Sequence, residues 1–559
     1  MMNLFQQDPN FWESVKGLMD DEMRDWAEGE LNEFSEMCKG IDERAVHTDR
    51  EGQPKLIKYD RLGDDISHIW LNEGYKKTIQ ETYDSGIVGY VHKEIPAIKK
   101  KGNYIYSYAQ GYLLSQVEPG FYCPVTLTMA TAYLLDHFAD EELKRKYLPH
   151  VLSTGEVELY EGATFLSERQ GGSDVGANET KAINEEDGYR LYGEKYFASN
   201  SGACGVATVL ARIEGAPEGT KGLSLFLVPW RNDDGSLNNI QIRRLKDKLG
   251  VRAVPSAEVL LEGSKAYLIG DPTKGFYYMM EALNLSRVCN AVASIGIMRR
   301  AYQEGLNYAK ERGSFGKEII EFPMVKETLA NLVARQEVQT RATFHTISLF
   351  DKVMPNLALA TENERALLRL FIALIKMRTA EEAIDFAHEA IELHGGNGYM
   401  EDFVTPRLLR DAQVLTVWEG TANILGLEIL RLIKKYKVHE LFIEFLREEI
   451  GNLPSELEEV AQPIASGIKE LVELLHYLND KDVDVQTYHS KKVANLMADL
   501  YISLISLKDS SDNSRKTIIA KLFLDHIWGK SKIDKEMIAL KHFEEITGIQ
   551  LKKSKTVSI

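Results

Sequence analysis

Apolar residues recur at three- and four-residue spacing through the first 155 positions, as in Leu134, Leu135 and Phe138 ahead of Tyr147-Leu148. That period belongs to helix. Between about 160 and 275 the texture changes. Short runs rich in β-branched and aromatic residues, at 189–197, 206–213, 223–228, 240–243 and 257–261, are separated by Gly and Asp/Asn clusters such as Asn232-Asp233-Asp234-Gly235. This predicts a run of antiparallel strands. Helical period returns over 286–311, 323–349, 362–393 and 406–436, lengths that suit a bundle. A further helical segment follows from about 440, with turn signals at Gly451-Asn452-Leu453-Pro454 and Asp509-Ser510-Ser511-Asp512. No internal repeat or low-complexity tract interrupts this order.

Size and charge narrow the picture. A chain of 559 residues exceeds one core, so two to four domains are expected. An apolar content of 44% is that of an ordinary globular protein. The net charge of −17 repels phosphate backbones and disfavours nucleic acid as a partner. Lys99-Lys100-Lys101 and Lys552-Lys553-Ser554-Lys555 are short basic runs that read as solvated ends. Cys38, Cys123, Cys204 and Cys289 are scattered, without metal-type spacing, which fits a reducing compartment and no metal site. The N-terminus lacks the basic and apolar regions of a signal peptide, and no stretch reaches about eighteen apolar residues, so a cytoplasmic protein without a membrane span is expected.

One stretch carries chemistry. Gly395-Gly396-Asn397-Gly398-Tyr399 follows a long helical segment, and Trp418-Glu419-Gly420-Thr421 comes some twenty residues later. Glycines permit positive φ and close approach of backbone to a bulky ligand. A lone Glu beside an aromatic residue and a flexible Gly is placed like a general base in a water-poor pocket. The plainer reading is a helix-to-helix turn with a stray acid.

These two segments together resemble the C-terminal signature of the acyl-CoA dehydrogenase superfamily. Three more blocks resemble that family: Phe165-Leu166-Ser167-Glu168-Arg169-Gln170-Gly171-Gly172-Ser173-Asp174, Gly193-Glu194-Lys195-Tyr196-Phe197-Ala198-Ser199-Asn200, and Glu311-Arg312-Gly313-Ser314-Phe315-Gly316. They stand in the family's order and span about 60–435. Within the family the look is nearest to the AidB-like alkylation-response flavoproteins, on Glu168 to Asp174, on Arg244-Leu245-Lys246-Asp247-Lys248-Leu249-Gly250, and on Gln116-Val117-Glu118-Pro119 leading to Cys123-Pro124-Val125-Thr126. The resemblance implies an α+β fold: an N-terminal helical domain (1–158), a middle antiparallel β-barrel domain (159–278), a C-terminal four-helix bundle (279–438) and an additional helical domain (439–559).

The resemblance also implies FAD and a set of contacts. Leu166 and Ser167 would lie against the isoalloxazine, with Ser173 near a flavin phosphate or the acyl-CoA. Phe197 would stack on the flavin where family members carry Trp, and Ser199 stands where they carry Thr. A barrel-core role is the alternative for Phe197. Arg312 and Phe315 would grip the adenine and pyrophosphate of a flavin held by a neighbouring subunit; a helix-capping Arg is the alternative. Gly395 and Gly396 align with a second adenosine-diphosphate contact, and Glu392, where the family often has Gln, is given no role. Thr421 and Asn423 are further flavin contacts. Arg287 falls beside substrate and base, or is a structural Arg. The position before it is Ser286 where one branch of the family carries its base, which leaves Glu419 as the base. Trp418 replaces a common Tyr and would narrow the thioester pocket.

The activity so implied is FAD-dependent dehydrogenation of an acyl-CoA thioester. Glu419 abstracts the proton, hydride passes to flavin N5, and a trans-2-enoyl-CoA forms. An electron-transfer flavoprotein is the implied acceptor, and the shared flavin implies a homo-oligomer, dimer or tetramer. Two other readings stand beside it: an AidB-like DNA-associated protective flavoprotein and an acyl-CoA oxidase. The C-terminal 441–559 holds 16 Lys and Arg against 19 Asp and Glu, a poor electrostatic footprint for a duplex.

Overall fold

The computed structural model describes residues 3–186, 188–357, 359–508, 510, 514–529 and 536–551. The basic run at 552–555 and most of the 509–512 turn lie outside them. The chain divides into two units: residues 1–9 with 16–293, and residues 10–15 with 294–559.

In the first unit, Asp21–Arg50 (α1), Glu73–Asp84 (α2), Tyr104–Ser115 (α3), Pro119–Phe138 (α4) and Glu141–Val151 (α5) are helices. Four of these starts are set by a short polar side chain that accepts an otherwise orphaned backbone N–H: Asp20 from Met23, Asn72 from Tyr75, Asn103 from Tyr106, Asp140 from Leu143. Every residue of α3 is buried, so this helix serves as core. The helical expectation for 1–155 omits two hairpins, one of them the two-residue pairing of Glu94–Ile95 with Lys100–Lys101. Lys55–Tyr59 and Asp65–Trp70 form an antiparallel hairpin, whose five- and six-residue strands are too short to register in a helical window.

The middle segment supplies Gly162–Phe165 (β1), Lys181–Glu185 (β2), Gly188–Ser199 (β3), Val206–Ile213 (β4), Leu223–Pro229 (β5), Ile240–Leu245 (β6) and Ser256–Leu268 (β7). Pairing runs β7–β3–β2–β4, and β5 joins β4 to β7, which closes a ring; β6 extends it from β7 and β1 from β4. Closure removes the exposed edges an open sheet would leave. The strands are not all antiparallel: β1 and β2 each run parallel to β4. A parallel neighbour needs a long crossover. The loop at 166–180 between β1 and β2 is part of that excursion. Inside the ring Phe165, Leu191, Phe226, Trp230, Ile242 and Val259 are buried together.

The unit boundary falls within the long helix Gly275–Glu311 (α6). The second unit continues with Pro323–Val353 (α7), Glu362–His394 (α8), Thr405–Leu415 (α9) and Ala422–Tyr436 (α10). The single helical segment expected over 406–436 is thus two helices, broken over 416–421 by positive φ at Glu419 and Gly420. Beyond them lie Val438–Gly451 (α11), Gln462–Asn479 (α12), Ser490–Lys508 (α13) and Ser514–Trp528 (α14).

The C-terminal helices fall in the same unit as the bundle, with α13 packed on α7 and α10. Tyr501 of α13 stacks on Phe371 of α8 at 4.3 Å, and its hydroxyl lies 2.9 Å from Thr346 Oγ1 and 2.8 Å from His345 Nδ1. Burial pushes His345 down to about 4, so the ring is neutral. Arg515 of α14 grips the buried Glu337 of α7 through two bonds of 2.6 and 2.9 Å, and Asn10 donates to the same carboxylate at 2.7 Å.

Candidate active site

The first unit presents a loop and a strand end. Leu166 and Ser167 are half-buried just after β1, and Ser173 is exposed. The loop is pinned from three sides. Asn178 Nδ2 donates to the Leu166 carbonyl at 2.9 Å, Tyr196 N–H donates to the Ser167 carbonyl at 3.0 Å, and Gly172 leaves room for Ser167, since a Cβ there would meet Ser167 Oγ at 2.3 Å. Beneath it lies a buried ion pair, Lys195 Nζ to Glu168 Oε1 at 2.7 Å, both side chains shut from solvent. Glu168 also accepts from the backbone N–H of Glu179 and Thr180 and from the Thr180 hydroxyl, and Lys195 donates to the Leu210 carbonyl. Burial alone would raise the Glu168 carboxyl, but the Lys195 ammonium and these donors outweigh it and hold it below its ordinary value; burial draws Lys195 down.

Phe197, at the end of β3, is 61% exposed, which excludes the barrel-core alternative. Tyr196 meets it edge-on at 5.0 Å, and Lys246 Nζ sits 3.2 Å from the Tyr196 ring centroid and 5.1 Å from that of Phe197. Ser199 Oγ lies 3.2 Å from Ser256 Oγ. The Phe197 ring is therefore a large flat aromatic face left open to solvent near a strand end. Arg287 is buried on α6, with Nη1 3.4 Å from Asn284 Oδ1, and Ser286 beside it is buried too.

The second unit holds the remaining candidates on three short turns. Arg312 follows α6, and the strands Gly313–Ser314 and Lys317–Glu318 form a two-residue hairpin with Phe315 and Gly316 at its tip. Both tip residues have positive φ, the geometry a twisted two-residue hairpin demands. Phe315 is therefore strained, and it is 94% exposed. Gly395 and Gly396 are exposed with open space where a Cβ would stand, and Glu392 is exposed as well. Tyr308 joins these two turns: it stacks on His394 at 4.2 Å, its hydroxyl accepts from Asn397 Nδ2 at 3.1 Å, and its carbonyl accepts from Arg312 N–H at 2.9 Å.

The third turn carries Trp418 and Glu419, both half-buried. Val417 and Trp418 N–H groups both donate to the Val414 carbonyl and so end α9. Glu419 then takes φ +59° and Gly420 φ +105°. Thr421 caps α10 without a side-chain capping bond and is exposed at the helix start, as is Asn423 two residues on.

The chain matches three family models: the adaptive response protein AidB N-terminal domain over residues 1–155, the acyl-CoA dehydrogenase middle domain over 163–264 and the acyl-CoA dehydrogenase C-terminal domain over 273–433. The chain belongs to the acyl-CoA dehydrogenase family. Among curated relatives it is 31% identical to acyl-CoA dehydrogenase family member 11 of Caenorhabditis elegans, over 92% of this chain and 85% of that protein. It is also 31% identical to the putative acyl-CoA dehydrogenase AidB of Escherichia coli, over 71% and 72%. The solved structure of the C. elegans protein ACDH-11 in complex with C11-CoA superposes with a TM-score of 0.87 at 27% identity, covering 97% of this chain and 94% of that one.

In this acyl-CoA dehydrogenase the expected residues gather in groups. Leu166 and Ser167 meet the Phe197 strand through the Tyr196 bond, and Trp418, Glu419, Thr421 and Asn423 share one turn. Three contacts escaped sequence reading: the Lys195–Glu168 pair, the Tyr308 link, and Lys376 Nζ donating to the Gly420 carbonyl at 2.6 Å. Glu168 and Lys195 stand inside quoted motifs, but their partnership spans 27 positions. Lys376 lies in an unbroken apolar helix period and carried no signal. Among the described residues no cluster suited to a metal is present, and no helix is long and apolar enough to cross a membrane.

Proposed function

We propose that this protein binds FAD and oxidises an acyl-CoA thioester to the trans-2-enoyl-CoA, with Glu419 as the base. FAD is the family's cofactor, and the residues present fit it. The exposed Phe197 ring offers a face for stacking, the open backbone at Gly395 and Gly396 lets a diphosphate approach, and the Thr421 hydroxyl is unspent on capping. Leu166, Ser167, Ser199, Thr421 and Asn423 would hold the ring system, while Arg312 and Phe315 would reach the adenosine diphosphate of a neighbouring copy. Arg suits that role because its planar fork pairs with phosphate. When bound, FAD supplies at N5 the acceptor for the hydride that leaves the carbon beyond the α-position.

The observation that carries the reading is the Glu419 turn. A half-buried carboxylate is fixed between an indole and a glycine by strained backbone, while the position before Arg287 offers a serine and no carboxylate. Glu419 takes the α-proton, and its backbone N–H donates to the thioester carbonyl, where charge develops. Arg287 and Ser173 of the first unit and Trp418 of the second are the proposed substrate contacts. An electron-transfer flavoprotein is the proposed acceptor.

Anaerobic bleaching of the bound flavin by a panel of acyl-CoA esters, including lengths near the C11 chain seen in ACDH-11, tests this. Glu419→Gln should keep FAD and abolish bleaching. Bleaching near the parent rate in that variant assigns the base elsewhere.

The AidB match raises a second reading, a DNA-associated protective role. The charge balance opposes it. Lys100, in the middle of one basic run, is already paired with Asp20 at 2.8 Å and Glu22 at 3.0 Å.

A further inference from the structure

We infer that Lys376 is a positioning residue for the catalytic turn. Its buried ammonium clamps the Gly420 carbonyl and thereby holds Glu419 in its strained, reactive conformation. The inference rests on Glu419 being the base. A non-glycine residue at φ +59° is disfavoured by contact of its Cβ with the backbone, and such a conformation persists only where the surroundings over-determine it. On one side the turn is tied by Val417 and Trp418 to the end of α9. On the other, Thr421 contributes no side-chain cap to α10. Between them the Gly420 carbonyl, with Gly420 itself at φ +105°, accepts from Lys376 Nζ at 2.6 Å.

Lys376 is 1% exposed. A bond from an ionised donor is stronger than a neutral one, and exclusion of water strengthens it again. Arg369, two turns earlier on the same face of α8, donates to Glu428 of α10 at 2.5 Å. One helix face therefore fixes both α10 and the carbonyl that precedes its first turn. That leaves Glu419 little freedom to swing away from its substrate-facing geometry.

The test compares Lys376→Met, which keeps the length and removes the charge, with Lys376→Arg and Glu419→Gln, all as FAD-loaded protein. Two readouts are taken: amide exchange of the peptide at 416–421, and the anaerobic single-turnover rate of flavin reduction by a reactive acyl-CoA. In Lys376→Met the turn should exchange faster, and reduction should slow about ten- to a hundredfold, the range spanned by one charge-assisted hydrogen bond. FAD retention and the acyl-CoA Kd should stay near the parent's, so the loss appears in kcat and not in KM. Lys376→Arg should recover part of the rate.

Unchanged exchange at 416–421 overturns the inference. Faster exchange with a parental reduction rate also overturns it, leaving Lys376 a plain fold contact. Exchange raised evenly along α8 and α10, with FAD lost, does the same. If Glu419→Gln bleaches at the parent rate, the base assignment falls on its own, and exchange at the turn still decides whether Lys376 holds it.

Discussion

Glu161 precedes β1 and is buried without a cationic partner of its own in its hydrogen-bond set. Tyr83 Oη donates to its Oε1 at 2.9 Å, and the Asn200 side chain is a second hydrogen-bond partner. The same Tyr83 hydroxyl lies 2.8 Å from Thr128 Oγ1, which accepts the Gly162 N–H at 2.9 Å. Burial pushes the Glu161 carboxyl from 4.5 up to about 7, against the two hydrogen bonds that favour its charged form. The sign of the pH effect follows. Below the unfolded value of 4.5 the carboxyl is neutral in both states and folding bears no penalty. As pH rises toward 7 the unfolded chain ionises first, and stability is lost. Above 7 the loss is complete and amounts to about 3 kcal/mol, from roughly 1.4 kcal/mol per tenfold difference in proton affinity. Glu161→Gln retains an acceptor for Tyr83 and cannot ionise. Its stability relative to the parent, measured by urea unfolding of the FAD-loaded proteins, should be near zero at and below about pH 4, about 1 kcal/mol at pH 5 and about 3 kcal/mol at pH 8. A difference that is flat with pH, or a variant less stable than the parent at pH 8, would refute the reasoning.

Lys195→Met leaves the buried Glu168 without its cation. It should cost about 3–5 kcal/mol, read as a lower urea midpoint, together with loss of FAD as the Leu166-Ser167 loop loosens. Arg312→Ala should weaken FAD retention about ten- to a hundredfold and weaken assembly; unchanged affinity and unchanged size in sedimentation would assign Arg312 to helix capping. Phe197→Ala should raise the FAD dissociation constant, since an offset aromatic stack contributes about 0.5–1.5 kcal/mol beyond area, and an unchanged constant in fluorescence titration would remove it from the flavin site. Anisotropy with duplex DNA at physiological salt should give no binding tighter than the non-specific range of about 10⁻⁴ to 10⁻⁶ M; submicromolar binding lost on removal of 441–559 would favour the protective role.

The alternation of helical and strand-forming regions was legible in the sequence, because the period of apolar positions records which face of each element is buried, and that is local information. The turn at Trp418-Glu419-Gly420-Thr421 was legible for a related reason: an acid, its aromatic neighbour and the glycine that frees the backbone are adjacent in the chain. Closure of the barrel was not. It depends on β5 pairing not only with its sequence neighbour β4 but also with β7, and on β1 and β2 lying parallel to β4, the last three being pairings that join strands far apart in sequence. The break at 416–421 was hidden because α9 and α10 keep a helical period on either side of it. Glu168 needed Lys195, and the Gly420 carbonyl needed Lys376 from 44 positions away. A cation's sequence neighbours do not say which buried carbonyl or carboxylate it will face. Only the packing of whole elements brings the two together and excludes the water that would otherwise weaken the bond.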